Sequence, residues 1–261
     1  MPRFARINGR TIHYAYRAGR AGRPVVFANS LGTDFRIWDD VRDLLPADTP
    51  TLVYDKSGHG LSEGGAATIA DHAGDLAGLT DLLGISNALV CGVSVGGMIA
   101  QKLSTDRPDL TAGLVLCNTG YKIGTPDVWA ERIEAVQNHG LDHIADGVME
   151  RWFSAGFRKR EADQVAGYRT MLKRTPAKGY AAVCAAIHHA DLYAEAGLIS
   201  CPTICIAGSE DLATPPDVVA ALADSISGAA LHLFKDVGHI PSIEAPEEIA
   251  NLIRQQIATL S

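Results

Sequence analysis

The chain has 261 residues, of which 47% are hydrophobic and 20% are charged, values typical of a soluble globular protein. Such a chain buries enough apolar surface to offset the entropy cost of ordering, which excludes disorder as its main state. It carries 23 Lys and Arg against 30 Asp and Glu, for a formal net charge of −7. This balance argues against a nucleic-acid platform or a polybasic membrane binder, because both need surplus positive charge.

The N-terminal segment carries Arg3, Arg6 and Arg10 and lacks the apolar stretch of a secretory signal. No apolar run reaches the roughly 20 residues needed to cross a bilayer. The five cysteines are odd in number and widely spaced, as expected of free thiols in a reducing compartment. We therefore expect a cytoplasmic protein without a metal site.

Two short alternating runs joined by Asn8-Gly9 open the chain, and this dipeptide favours a β-hairpin with a type I′ turn. Thr68 precedes a single apolar stripe at helical spacing, and 246–260 has the pattern of a final helix. Strands that alternate with helices predict a mostly parallel eight-stranded sheet with helices on both faces. The six apolar runs typical of buried parallel strands are 24–28, 51–54, 87–91, 113–117, 202–207 and 230–234.

A segment with a different sequence pattern separates the sixth predicted strand from the seventh. Short apolar strands disappear in residues 120–197, aromatic and basic residues concentrate, and apolar residues recur at helical spacing. This pattern predicts a helical cap inserted into the α/β fold. The expected boundaries are 1–119 with 198–261 for the core and 120–197 for the cap.

The sharpest motif is Gly-x-Ser-x-Gly at 92–96, with Ser94 at its centre, between a strand and a helix-forming stretch. A serine at such a tight turn needs minimal neighbours two residues away on each side, so that the turn closes and exposes Oγ. The N–H of Val95 then lies at a helix N-terminus, where it suits a developing oxyanion. By position, the N–H of Leu31 in the loop 29–34 is the second oxyanion donor.

A serine nucleophile needs an adjacent base, and the base needs an orienting acid. In hydrolases with this motif, the acid and then the histidine follow the serine along the chain. Asp211 follows the seventh strand and His239 follows the eighth, at strand ends where α/β proteins place their sites. Glu210 is an alternative acid, whereas Asn118, at another position that such folds use for the acid, cannot serve.

Other histidines have structural interpretations. His13 lies on a hairpin strand, His72 on a helix face and His232 inside a strand. His59 lies in the glycine-rich turn 55–62, where we expect it to form a structural hydrogen bond.

Together these residues resemble the α/β-hydrolase superfamily, and within it the 3-oxoadipate enol-lactonases. The resemblance covers the whole chain, and the segments of the cap are its most specific part. The segments that carry it include Asn29-Ser-Leu-Gly-Thr-Asp34, Gly58-His-Gly-Leu-Ser62, Gly92-Val-Ser-Val-Gly-Gly97, Cys117-Asn-Thr119, Lys122-Ile-Gly-Thr125 and Glu150-Arg-Trp-Phe153.

The resemblance implies a triad of Ser94, Asp211 and His239, with the N–H groups of Leu31 and Val95 as the oxyanion hole. It also implies hydrolysis of a five-membered enol-lactone that carries an acetate arm, within the β-ketoadipate pathway of aromatic-compound degradation. The reaction needs no metal or cofactor. The expected partner is a small anionic lactone, rather than nucleic acid or a membrane.

The free carboxylate of such a substrate needs a cationic or hydrogen-bonding anchor. The candidates in the cap are Arg132, Arg151, Lys122 and His188. Trp152 is a further candidate beside Arg151, although packing within the cap is the simpler interpretation for it, as for Trp129. Three rival enzyme activities keep the triad and change the substrate, namely another esterase, a C–C bond hydrolase and a cofactor-free perhydrolase. A hydrolase-fold ligand receptor is a rival from another class.

Overall fold

An antiparallel hairpin opens the fold in the computed structural model, which describes residues 2–19 and 22–260. Strand β1 (Pro2–Ile7) pairs with β2 (Arg10–Arg17). Asn8 and Gly9 join them with φ angles of 48° and 79°. Two positive φ angles are what a type I′ turn requires, so the predicted hairpin is confirmed.

One eight-stranded sheet forms the centre of the molecule, in the order β1-β2-β4-β3-β5-β6-β7-β8. Neighbouring strands from β4 to β8 pair in parallel, and β2 joins β4 antiparallel. The predicted mostly parallel sheet is therefore confirmed. The remaining strands are β3 (Val25–Ala28), β4 (Thr51–Tyr54), β5 (Ala88–Val93), β6 (Thr111–Cys117), β7 (Thr203–Gly208) and β8 (Ala230–Phe234).

Helices follow most strands of the sheet. The first three are α1 (Asp39–Leu44), α2 (Ile69–Leu82) and α3 (Val95–Asp106). Thr68 caps α2 in a capping box with Asp71, which fixes the start predicted from the sequence. Between β6 and β7 come α4 (Pro126–Trp152), α5 (Ala155–Arg160), α6 (Ala162–Arg174), α7 (Ala177–His188) and α8 (Tyr193–Ala196). The last three are α9 (Pro216–Ser225), α10 (Pro241–Glu244) and α11 (Pro246–Thr259).

The strand order explains why helices cover both faces. The connection from β3 to β4 moves one way along the sheet, and the connection from β4 to β5 moves back across β3. Right-handed crossovers in opposite directions place α1 and α2 on opposite faces. The contacts agree, because α1 packs on α11 whereas α2 packs on α3.

The five helices between β6 and β7 lie where the sequence predicted a cap. Helix α4 packs against α6 and α7, and it is interrupted at Gly140, whose φ of 76° and ψ of 177° are not helical. The inserted segment ends with α8, and the chain then enters β7. Among the described residues, no helix combines the length and apolar character needed to span a bilayer.

Parallel strands bring the functional candidates to one edge of the sheet. β3 is followed by the loop with Leu31, β5 by Ser94, β7 by Asp211 and β8 by His239. Because the carboxyl ends of parallel strands meet at the same edge, residues far apart in the chain become neighbours there. Three central strands of the sheet, β3, β4 and β5, are fully buried, so Leu31 and Ser94 follow strands that belong to the core.

Candidate active site

Ser94 occupies a strained turn between β5 and α3. Its φ of 59° and ψ of −122° are rare for a residue with a side chain, and its side chain is largely buried at the floor of a cavity. The N–H groups of Gly97 and Met98 donate to its carbonyl oxygen, at 2.8 and 3.2 Å, which starts the helix immediately after it. This is the strand–turn–helix arrangement that exposes a serine hydroxyl.

The neighbouring glycines are required by close backbone contacts. A Cβ on Gly92 would collide with the carbonyl oxygen of Gly96 across the turn. A Cβ on Gly96 would collide with the carbonyl oxygen of Ala28 at the end of β3. Both positions therefore need glycine for the steric reason that the motif predicted.

His239 and Asp211 form a buried pair. Nδ1 of His239 lies 2.8 Å from Oδ2 of Asp211. The carboxylate also accepts from the N–H groups of Ala213 and Thr214, at 2.7 and 3.0 Å, and from the Thr214 hydroxyl at 2.7 Å. With Nδ1 engaged, Nε2 is the ring nitrogen of His239 left to exchange a proton, and His239 lines the same cavity as Ser94.

Glu210 faces a different partner. Its Oε2 accepts a hydrogen bond from the N–H of Ala155, the first residue of α5, at 3.0 Å. The structure therefore brings Asp211, and not Glu210, into contact with His239. The assignment of Asp211 as the acid stays a prediction that this contact supports.

The two predicted oxyanion donors lie at this site. Leu31 lines the cavity beside Ser94, and Val95 is the first residue of α3. Neither N–H donates a hydrogen bond to another group in the described part of the chain. Ser30 lines the cavity too, and its buried Oγ has no partner among residues 2–19 and 22–260.

The loop that carries Leu31 is fixed by its other polar groups. The N–H of Gly32 donates to Nε2 of His59 at 2.9 Å, which is the structural hydrogen bond expected of this histidine. The carbonyl oxygen of Gly32 accepts from the Thr175 hydroxyl of the inserted segment at 3.3 Å. Burial and the nearby Lys56 hold the pKa of His59 well below its usual range, so it stays neutral and accepts.

A cavity of about 270 Å³ lies above Ser94 and His239. Two arginines of α4, Arg132 and Arg151, line it. Arg132 donates to the Tyr180 hydroxyl at 3.1 Å, and neither arginine has an acidic partner among the described residues. Burial and the charge of Arg132 lower the pKa of Arg151. Two cations without an acidic partner therefore lie close together at one cavity.

The other cap candidates divide between the cavity and the surface. Trp152 and Trp129 line the cavity, and the Trp129 indole also donates to the Ile123 carbonyl at 2.7 Å. His188 does not line it. It lies at the end of α7 beside a second cavity, which the end of α7 lines together with Ile133 and Glu134 of α4. Lys122 is exposed and pairs with Asp191 at 3.1 Å.

Several groups that were not predicted from the sequence fix the backbone before His239. The Gly238 carbonyl accepts from Nδ2 of Asn118 at 2.7 Å, and the His239 N–H donates to the Trp152 carbonyl at 2.8 Å. The Gly238 N–H donates to the half-buried carboxylate of Glu244 at 3.0 Å. The contacts of Asn118 and Trp152 link partners far apart in the chain, so no local pattern signals them. Glu244 lies six residues after Gly238, in α10.

The histidines interpreted as structural lie away from Ser94. His13, on strand β2 of the hairpin, pairs with Asp55 at 2.7 Å. His72 is buried in α2, and burial lowers its pKa to about 3. His232 lies on the edge strand β8.

Comparison with known proteins gives a consistent family. Residues 25–252 match the model of the alpha/beta hydrolase family. A 3-oxoadipate enol-lactonase of Acinetobacter baylyi is 32% identical over 232 residues, which cover 88% of this chain and 86% of that protein. A second 3-oxoadipate enol-lactonase of the same organism is 31% identical and covers 94% and 92% of the two chains.

The fold comparison points the same way. The crystal structure of the enol-lactonase from Burkholderia xenovorans superimposes with a TM-score of 0.94 at 35% sequence identity. The superposition covers 98% of this chain and all of that one.

Proposed function

Because the chain belongs to the alpha/beta hydrolase family, we propose that it is a serine hydrolase that opens the ring of 3-oxoadipate enol-lactone to give 3-oxoadipate. A hydrolase activity follows from the family and from relatives that share about a third of their residues with it. The particular substrate, and a place in aromatic-compound catabolism, are the proposed part.

In the proposed mechanism, Ser94 Oγ attacks the lactone carbonyl while its proton passes to Nε2 of His239. Asp211 holds the imidazole in the required tautomer and stabilises the imidazolium that forms. The N–H groups of Leu31 and Val95 bind the oxyanion. Ring opening expels an enolate, which takes up a proton and tautomerises to the ketone, and water activated by His239 then releases the acid.

The positive charges that line the cavity support an anionic substrate. Arg132 and Arg151 line the same cavity as Ser94 and lack an acidic partner in the described part of the chain, in a protein whose net charge is −7. A carboxylate on the substrate would relieve the repulsion between them and accept charge-assisted hydrogen bonds. An ester without a negative charge would leave both guanidinium groups without an anionic partner in the cavity.

The test is a substrate panel on the purified protein, with Ser94→Ala as the blank. It compares the enol-lactone with an uncharged aryl acetate and with a vinylogous diketone of the kind that C–C hydrolases cleave. We expect the highest kcat/KM for the enol-lactone, a low rate on the aryl acetate and no cleavage of the diketone. A higher kcat/KM for the diketone or the aryl ester would reassign the substrate, and the absence of turnover on all three would favour a receptor.

A further inference from the structure

Lys56 is buried beneath the loop that carries Leu31. It lies two residues after β4 and is 1% exposed, and no carboxylate pairs with its ammonium in the described part of the chain. Burial lowers the pKa of Lys56 to about 7, against the opposing effect of Asp55 and Asp34. Burying an ammonium without an ion pair is costly, so a cation at this position needs another explanation.

The ammonium of Lys56 contacts two carbonyl oxygens of the loop that carries Leu31. Its Nζ donates to the carbonyl oxygen of Ser30 and lies 3.5 Å from that of Thr33. The Ser30 oxygen also accepts from the Thr33 hydroxyl at 2.8 Å and from the Thr33 N–H at 3.3 Å. Three donors therefore converge on the oxygen of the peptide that joins Ser30 to Leu31.

The other end of that peptide is the N–H of Leu31. In a trans peptide the C=O and N–H bonds point in opposite directions, so donors that hold the oxygen below the loop aim the N–H away from them. Leu31 lines the cavity with Ser94, and its N–H has no partner among the described residues. A cation on the oxygen also polarises the amide, which strengthens any hydrogen bond that the Leu31 N–H donates.

We propose that Lys56 is a positioning residue for hydrolysis, which holds and polarises the Ser30–Leu31 peptide so that the Leu31 N–H stabilises the oxyanion. The inference rests on the proposed function, since it takes Ser94 as the nucleophile and Leu31 as an oxyanion donor. The positive charge itself, and not only the anchoring of the loop, is what Lys56 contributes.

The experiment compares Lys56→Met, which keeps the volume and removes the charge, with Lys56→Gln, which retains a neutral donor. Thr33→Val is the matched control, because it removes a neutral donor from the same Ser30 oxygen. Each variant is assayed at about pH 6, below the pKa of Lys56, so that the ammonium form predominates. The substrate is an aryl acetate, so the result does not depend on the enol-lactone assignment. A second measurement is inhibition by an aryl trifluoromethyl ketone. Ser94 Oγ adds to the ketone carbonyl while the hydroxyl proton passes to His239, and the product is a hemiketal oxyanion bound in the oxyanion hole.

Direct removal of one oxyanion donor costs about 10²–10³-fold in kcat, and we expect the indirect loss in Lys56→Met to be roughly tenfold. KM should stay within about twofold, and the inhibition constant of the ketone should rise in parallel with the fall in kcat. Lys56→Gln should fall between Lys56→Met and the wild type, and Thr33→Val should lose less than Lys56→Gln.

The outcomes separate the two proposals. An unchanged kcat and ketone affinity in Lys56→Met would overturn the role of Lys56 while leaving Ser94 in place. Equal losses in Thr33→Val and Lys56→Met would also overturn it, because anchoring of the loop would then explain both. Should Lys56→Met not fold, Lys56→Gln with wild-type kinetics would be decisive against it. Full activity of Ser94→Ala would instead overturn the proposed function.

Discussion

The backbone N–H of His239 donates a 2.8 Å hydrogen bond to the carbonyl oxygen of Trp152, the last residue of α4. The helix that lines the cavity with Arg132 and Arg151 therefore also holds the loop of the proposed base. Glu244 strengthens the connection, because its carboxylate accepts from the Gly238 N–H and from the N–H and hydroxyl of Ser154. The inserted helices and the proposed base are thus fixed to each other through backbone groups.

Glu244→Ala should lower kcat on an aryl acetate with little change in KM, because the loop before His239 loses an acceptor that fixes it. A misplacement of about 1 Å at a reacting group costs up to about 10²-fold, which bounds the expected loss. Glu244→Gln should restore most of the rate, because an amide oxygen still accepts from Gly238 and the amide nitrogen faces the Ser154 hydroxyl.

The matched control for that variant is Glu210→Ala. Its carboxylate also binds the inserted segment, at the Ala155 N–H, but its side chain makes no hydrogen bond to the loop of His239. Equal losses of kcat in Glu210→Ala and Glu244→Ala would show that loosening the inserted helices, and not the position of His239, is responsible.

Asp211→Asn should keep the fold and lower kcat by on the order of 10³–10⁴, because an amide at this position favours the wrong tautomer of His239. Steady-state kinetics on the aryl acetate check this, with circular dichroism to compare the folds. The companion variant Glu210→Gln should remain close to the wild type. The opposite ranking of the two variants would move the acid to position 210.

Arg132→Ala should raise KM for the carboxylated enol-lactone by roughly 10–100-fold, the magnitude of a charge-assisted hydrogen bond. Hydrolysis of an uncharged aryl acetate by the same variant should hardly change, because that substrate has no carboxylate to anchor. Lys122→Ala is the control, since this cation pairs with Asp191 outside the cavity. Equal losses on both substrates would assign Arg132 to packing of the cap.

Lys56 should make stability depend on pH between about 7 and 8.5. Its folded-state pKa of about 7 lies below the 10.5 of an ordinary lysine, so in this range the unfolded chain binds more protons at this residue. The free energy of unfolding therefore rises with pH, by at most about 1.4 kcal/mol per pH unit for one proton. Below about pH 6 Lys56 is almost fully protonated in both states, and this contribution to the slope disappears.

Urea unfolding at several pH values across this range measures the slope. Lys56→Met should flatten it and should be the more stable protein at pH 7, because the cost of burying the ammonium is gone. An identical slope in both proteins would place the titration on another group, and not on His59 or His72, whose low pKa values keep them neutral in the folded protein across this range.

Local steric patterns explain which features were predictable from the sequence. The hairpin at Asn8-Gly9, the cap of α2 at Thr68 and the turn around Ser94 each depend on residues a few positions apart. The strands could be located from the apolar runs, because buried parallel strands are apolar on both faces. For the same reason the sheet and its parallel sense were predictable.

The support of the site was not predictable, because it joins distant segments. Asn118 and Gly238 are 120 residues apart, and their contact joins the end of β6 to the loop after β8, with β7 between these two strands. Lys56 has no sequence signal, since lysines are rarely buried. His188 was grouped with the arginines as an anchor, but whether it faces the cavity depends on how α7 packs against α4.

The central claim is that Ser94 is the nucleophile, and active-site labelling tests it most directly. The protein is treated with a fluorophosphonate, digested, and mapped by mass spectrometry, with Asp211→Asn treated alongside. We expect one adduct, on the peptide that contains Ser94, formed much more slowly in Asp211→Asn. An adduct on Ser30 or Ser57 with Ser94 unmodified would contradict the account.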